Sequence, residues 1–395
     1  MRVEETKKLE SNIKKFYLFQ ILLGMMFYFP ILVLFWQSNG LSLTEVMILQ
    51  SIVSISMVIF EIPTGYFADV FGRKKSFISA GFFLAMSIFV YCFSYNFHHF
   101  LVCELLWMIG FALISGADSA FLYDTLAALK KENQYKKIFG KARFYYLLAI
   151  SGASIIGGFI GKINFRWTFY AMLPFVILLI PLSFSFTEPR KHNQVFRGTN
   201  LSRLIDILKY SFKNRKIKWL MIYSAIIFTF NGTAQWLYQP YFKLTGLDIL
   251  YFGFVFAAFN LVAALSSKYA HAIEEKIGQK YSLVMLVFLM VTSYLLMGNF
   301  VFLFSFSFAF LNEIVFGFSK PIITDYINKI VSSDARATIL SAQSMVGRLL
   351  YAAILPLAGW LADIYTLPQA LSILGITTFV AGIIILVILH IERII

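Results

Sequence analysis

The chain is poor in the side chains that carry most metal and enzyme chemistry. Of 395 residues, 2 are cysteine and 5 are histidine. Cys92 and Cys103 lie in or near apolar runs, with the spacing of neither a metal site nor a disulfide framework. His98, His99, His192, His271 and His390 fall at the ends of apolar runs or between them, and none belongs to an H-E-x-x-H or Cys/His pattern. No G-x-x-x-x-G-K-[ST] segment occurs, which excludes a P-loop and nucleotide bound in that manner. No catalytic residue, metal or cofactor is therefore expected. A leader pattern is also missing: Met1 to Lys15 carries charges of both signs and no small-residue cleavage site follows, so the first apolar run is expected to remain as a span. Charge itself is scarce, at 14% of residues against about 25% in an ordinary soluble domain.

What fills the chain instead is apolar surface. A 59% apolar composition is too much to hide inside one soluble core, so the bilayer must be part of the solvent. A spanning helix needs about 20 predominantly apolar residues, and such runs recur along the whole length. Twelve are expected, at 16–36, 46–68, 76–95, 99–127, 139–161, 166–187, 217–242, 249–270, 281–298, 300–328, 338–361 and 368–389. The net charge of +14 follows this pattern. With both termini inside, all Lys and Arg fall in terminal segments or even-to-odd loops except Lys162, Arg166 and Lys243 outside, and Lys320 and Arg348 within spans. That bias is the positive-inside rule. It predicts a multi-pass protein of the cell membrane, inner or plasma, with cytoplasmic termini, and it makes nucleic acid an unnecessary partner.

The longest polar interval separates six runs from six. It predicts an N-terminal bundle over 1–190, a cytoplasmic linker over 191–215 and a C-terminal bundle over 216–395. At an offset near 206, Gly72, Lys74 and Ser76 meet Gly278, Lys280 and Ser282, while Phe35-Trp36 meets Tyr241-Phe242. One residue either side pairs Asp118 with Asp325 and Arg143 with Arg348. Two halves of like structure are the expected result, with substrate binding between them near the midplane.

The segment GYFADVFGRKK, residues 65–75, sits in the short gap between the second and third runs. An acid followed by a glycine and three cations at that point reads as a cytoplasmic hinge. Gly65, Asp69, Gly72, Arg73 and Lys74 match, position by position, the G-x-x-x-D-x-x-G-R-K/R pattern that joins helices 2 and 3 of major facilitator superfamily transporters. The chain resembles that superfamily over nearly its full length, and within it the twelve-span drug and metabolite efflux branch. The resemblance implies an all-α membrane protein of two pseudo-symmetric six-helix bundles that alternates access as a monomer, with the motif acting as its gate. Two departures stand out. Helix 4 lacks the intramembrane Arg of many drug exporters. Helix 5 carries Gly152, Gly157, Gly158 and Gly161, similar to the glycine-rich antiporter signature, without its usual Pro and with the spacing off by one.

Ionisable groups inside spans are costly and mark a pathway, a relay or an internal pair. A carboxylate in a dry cavity is neutralised by desolvation and can carry a proton; one beside a cation stays ionised and serves as a latch. Glu61, Asp118 and Glu313 have no cation nearby in sequence and are the proton-coupling candidates. Asp124 with Arg143 is the expected latch, with Asp118 the alternative partner, and Asp325 with Arg348 its counterpart. Glu104, near the outer surface, is expected to be hydrated. Helices 1, 4, 7 and 10 line the cavity in the superfamily, which places Gln20, Tyr28, Asn231, Gln235, Trp236 and Lys320 as substrate contacts. The expected activity is proton-coupled efflux of small amphipathic compounds. The alternatives are a transporter of one metabolite or siderophore, in either direction, and a non-transporting receptor.

Overall fold

The computed structural model describes residues 3–189, 213–331 and 333–395, and among these it contains helices and no strand. The helices are α1 (Val3–Gly24), α2 (Leu32–Ser38), α3 (Leu43–Phe71), α4 (Arg73–Tyr91), α5 (Phe97–Ser115), α6 (Asp118–Ala128), α7 (Tyr135–Ile163), α8 (Trp167–Ser185), α9 (Arg215–Leu244), α10 (Ile249–Asn299), α11 (Phe310–Ile330), α12 (Ser333–Ile364) and α13 (Leu367–Ile391). Most of the expected linker lies outside the described residues.

Ten described segments are long and apolar enough to cross a membrane. One of them, α10, runs for 51 residues, about 77 Å at 1.5 Å per residue and more than twice a hydrocarbon core of about 30 Å. Gly278, at φ 78°, divides it into two helices. The 30-residue α9 is helical but carries Arg215, Lys216 and Lys218 in its first turn, and it is absent from the ten. Together these are consistent with the twelve expected spans.

Two expected spans are broken. The first divides after Gly24, with a 3-10 turn over Phe29–Ile31 leading into α2. Pro30 explains the break, because its ring cannot donate to Met26 O and would clash there in a continuous helix. The fourth divides at Gly116 and Ala117 into α5 and α6, where Gly116 approaches the Gly65 backbone to 3.5 Å from an added Cβ.

The halves of the chain carry the same turns. Four glycines have positive φ: Gly40 (91°), Gly72 (100°), Gly246 (81°) and Gly278 (78°). They form two pairs at the offset of 206 that aligns the sequence, 40 with 246 and 72 with 278. Left-handed backbone favours glycine, so the repeat is legible in conformation as well as identity. Ser87 and Ser293, also 206 apart, repeat an interhelical bond: Ser87 donates to Cys103 O and Ser293 to Phe308 O, both at 2.8 Å.

The described chain forms two compact units that cross the sequence halves in places: Met1–Phe35 with Ser56–Gly198 and Ile249–Ala257, and Trp36–Ile55 with Thr199–Asp248 and Ala258–Ile395. Glycine makes both exchanges. In the first unit, a Cβ on Gly158 of α7 would lie 2.8 Å from Leu250 O and 3.2 Å from Gly253 N. In the second, a Cβ on Gly359 of α12 would lie 2.6 Å from Leu43 O. Asp363 then caps α3, accepting from Leu43 N at 3.0 Å and Thr44 N at 2.7 Å. Small residues permit such backbone contact where no hydrophobic force drives helices together.

Candidate functional site

The hinge motif is assembled by the first unit. Gly72 stands at φ 100°, ψ 152° immediately before α4, and a Cβ there would meet the Glu188 carboxylate at 3.1 Å. Glu188 lies just past α8 and accepts from Arg73 N at 2.9 Å and Lys74 N at 2.7 Å. A carboxylate on two free N–H groups at a helix N-terminus is favoured by hydrogen bonding and by the helix dipole together. The Arg73 side chain turns away to the Asp124 carboxylate of α6, and both members are mostly buried, at 15% and 13% exposure. Beneath the pair lies an aromatic knot: Phe77 contacts Phe19 at 4.9 Å and Phe121 at 5.2 Å between ring centroids, and Phe121 contacts Phe186 at 4.9 Å. Asp69 is exposed on the last turn of α3. The α3–α4 turn, α6 and the chain leaving α8 are thus joined through one charged cluster. Glu188 is the member that sequence reading misses; only its place beside the α4 N-terminus marks it, since it is 115 residues from Arg73.

Two expected latches are corrected by this geometry. Asp124 is engaged by Arg73 and not by Arg143, whose guanidinium lies 4.6 Å from the Tyr146 ring centroid and acts electrostatically on Asp118. The helix 4 break explains the exchange, because it sets α6 as a separate segment whose Asp124 faces the hinge. Asp325 pairs with Lys329 at 2.6 Å, one turn along the same helix, and not with Arg348. A partner at i+4 is within reach without any tertiary adjustment.

The three coupling candidates stand in different surroundings. Glu61 is exposed on α3, and Asp118 is half-buried in the first turn of α6, accepting from Ser119 N at 2.5 Å. Glu313 is 5% exposed in the first turn of α11. Glu104 departs from expectation: it is buried and accepts from Tyr91 OH at 2.6 Å, because α4 and α5 close over it with aromatic rings.

The expected substrate contacts divide in the same way. Gln20 and Tyr28 are buried; Tyr28 stacks on Phe169 at 5.1 Å and meets Trp107 edge-on at 6.1 Å. Asn231 donates to Asn312 O at 2.7 Å, and Trp236 Nε1 donates to Tyr351 OH at 2.6 Å. Gln235 is half-buried and Lys320 exposed. Among the described residues no cluster of His, Cys, Asp or Glu could hold a metal ion.

Comparison with known proteins agrees with the motif. The family model described as Major Facilitator Superfamily matches residues 16–355. The chain is 25% identical over 343 residues to the MFS-type transporter YxaM of Bacillus subtilis, covering 84% of each. It is 22% identical to the MFS-type transporter MJ1560 of Methanocaldococcus jannaschii, over 75% of this chain and 77% of that one. In fold it resembles the nucleoside transporter NupG, with TM-score 0.79 at 12% identity over 97% and 98% of the two chains. It also resembles a D-xylose–proton symporter, with TM-score 0.67 at 14% identity over 96% and 97%. The chain belongs to the major facilitator superfamily and is a multi-pass membrane transporter of small molecules that works by alternating access.

Proposed function

We propose that the chain exports small amphipathic compounds in exchange for protons, as a monomer in the cell membrane with both termini cytoplasmic. The observation that supports this reading most is the Glu313 carboxyl, buried in the first turn of α11, since coupling to protons requires a group that can be neutralised within the membrane. Asp118 and Glu61 are the further coupling candidates. Gly65, Asp69, Gly72, Arg73 and Lys74 form the cytoplasmic gate, in which Arg73 and Asp124 separate and rejoin as access alternates. Export is supported by the glycine face of α7, where Gly157 and Gly158 lie in backbone contact with neighbouring segments, together with its similarity to the antiporter signature. Gln20, Gln235 and Trp236 contribute to the substrate path.

Lys320 favours a second reading. An exposed cation within a predicted span suits an anionic ligand, and hence a transporter of one acidic metabolite or siderophore. Purified protein in liposomes under an imposed pH gradient decides between them. Substrate-dependent proton flux with several unrelated amphipaths is expected. Flux with a single acidic compound establishes the second reading, and flux without proton movement overturns the first.

A further inference from the structure

Two helices of the first unit meet beside the hinge and leave a groove on their outward side. Asn12 of α1 donates to Thr187 O at 2.8 Å and accepts from Thr187 N at 3.0 Å, one residue before the Glu188 that caps α4, so the start of α1 lies at the hinge end of the unit. Further along α1, a Cβ on Gly24 would stand 2.8 Å from Tyr146 O of α7, which is contact of backbone with backbone. About two turns nearer the hinge, the Tyr17 and Tyr145 rings fill the space between the same helices, edge to face with centroids 5.3 Å apart. The two helices therefore diverge toward that end. Lys141 Nζ lies over both rings there, 5.6 Å from each centroid.

The outward side of this junction is apolar along the span and basic at its hinge end. On α7, Phe144 and Leu148 are 58% and 60% exposed, whereas Tyr146 and Ala149 are 9% and 8% exposed, which marks the face turned to acyl chains. Exposed Lys137 and Lys141 precede Phe144 and Leu148 by two turns each and share that face. On α1, exposed Lys14 stands one turn before exposed Leu18. Lys14, Lys137 and Lys141 pair with no carboxylate among the described residues; the acids of α1 are taken, Glu4 by Lys8 at 2.7 Å and Glu10 by Lys131 at 2.8 Å. The positive-inside rule accounts for cations at this end. It does not require them to line up over one lipid-facing stripe, nor one of them to rest on a pair of tyrosine rings. Unpaired cations set directly over exposed apolar side chains match an amphiphile with an anionic head and acyl chains. We propose that the groove between α1 and α7 binds an anionic phospholipid, its phosphate held by Lys14, Lys137 and Lys141 and its chains lying along Leu18, Phe144 and Leu148. The site is distinct from the gate and from the coupling candidates, and it rests on neither the direction nor the energy source of transport.

Native mass spectrometry of the purified protein tests it, with phosphatidylglycerol and phosphatidylcholine of the same acyl chains as probes. The wild type is expected to bind its first phosphatidylglycerol about tenfold or more tightly than phosphatidylcholine. Equal affinity for the two overturns the proposal with no variant needed. Lys14→Gln, Lys137→Gln and Lys141→Gln combined are expected to abolish the preference. Lys268→Gln, Lys276→Gln and Lys280→Gln combined, which remove the same charge from exposed positions of α10, are expected to leave it. A preference lost from both variants reports net charge alone, and one lost from neither lies elsewhere on the molecule; each result overturns the assignment to this groove. Inorganic phosphate in excess separates a lipid from a free anion. The phosphatidylglycerol adduct is expected to persist in its presence, and displacement by phosphate overturns the part assigned to the acyl chains.

Discussion

Single residues at the hinge are partly legible in the sequence itself. Gly72 is visible in its motif, and its φ of 100° supplies the reason that no other residue suits the position. Gly72→Ala is expected to cost about 1–3 kcal/mol and to lower the thermal midpoint. Gly140→Ala, at a site on α7 with nothing within 4 Å of the added Cβ, is expected to gain up to about 1 kcal/mol from helix propensity. Equal midpoints for the two variants would contradict this account. Asp124 stands out along the chain as a charged anchor, but spacing points to the wrong partner for it: a sequence shows which cations are near along the chain and not which one a kinked helix turns toward. A double-mutant cycle measures the choice. Arg73→Gln and Asp124→Asn should couple by about 0.5–3 kcal/mol, whereas Arg143→Gln and Asp124→Asn should add.

Helices are legible in kind and less so in continuity. Apolar runs identify the membrane-length segments, yet they pass over the breaks at Met25–Tyr28 and Gly116–Ala117. Pro30 is the available signal for the first, whereas Gly116 has meaning only through its contact with Gly65. Capping escapes sequence patterns for a related reason. Glu188 and Asp363 each close a helix distant in sequence, and no local pattern announces a cap delivered through space. Glu188→Ala is expected to destabilise by about 1 kcal/mol, in the range of a lost N-cap, read as a lower thermal midpoint. Gly359→Ala places a methyl 2.6 Å from Leu43 O and should cost about 1–3 kcal/mol as overpacking. An unchanged midpoint for Gly359→Ala would show that α3 and α12 can separate freely at that contact.

At the scale of the whole molecule, orientation is the property to measure. Both native cysteines are buried, so single cysteines placed at His98 and Glu132 can be probed in intact cells with a membrane-impermeant thiol reagent. Labelling at position 98 but not at 132 is expected, and the reverse would invert the topology. Residue order alone shows that the chain spans a membrane many times, that its halves repeat at an offset of 206, and that a segment matching the superfamily motif lies between its second and third spans. Each of these is a pattern in which residue identity at a fixed spacing is the physical cause: apolar length, charge placement, and glycine where φ is positive. The partners are set only by the folded chain: Arg73 with Asp124, Glu188 on the α4 N-terminus, and Tyr91 on Glu104. Ion pairs, caps and buried hydrogen bonds depend on distances of about 3 Å between groups far apart along the chain, and one-dimensional periodicity does not encode them.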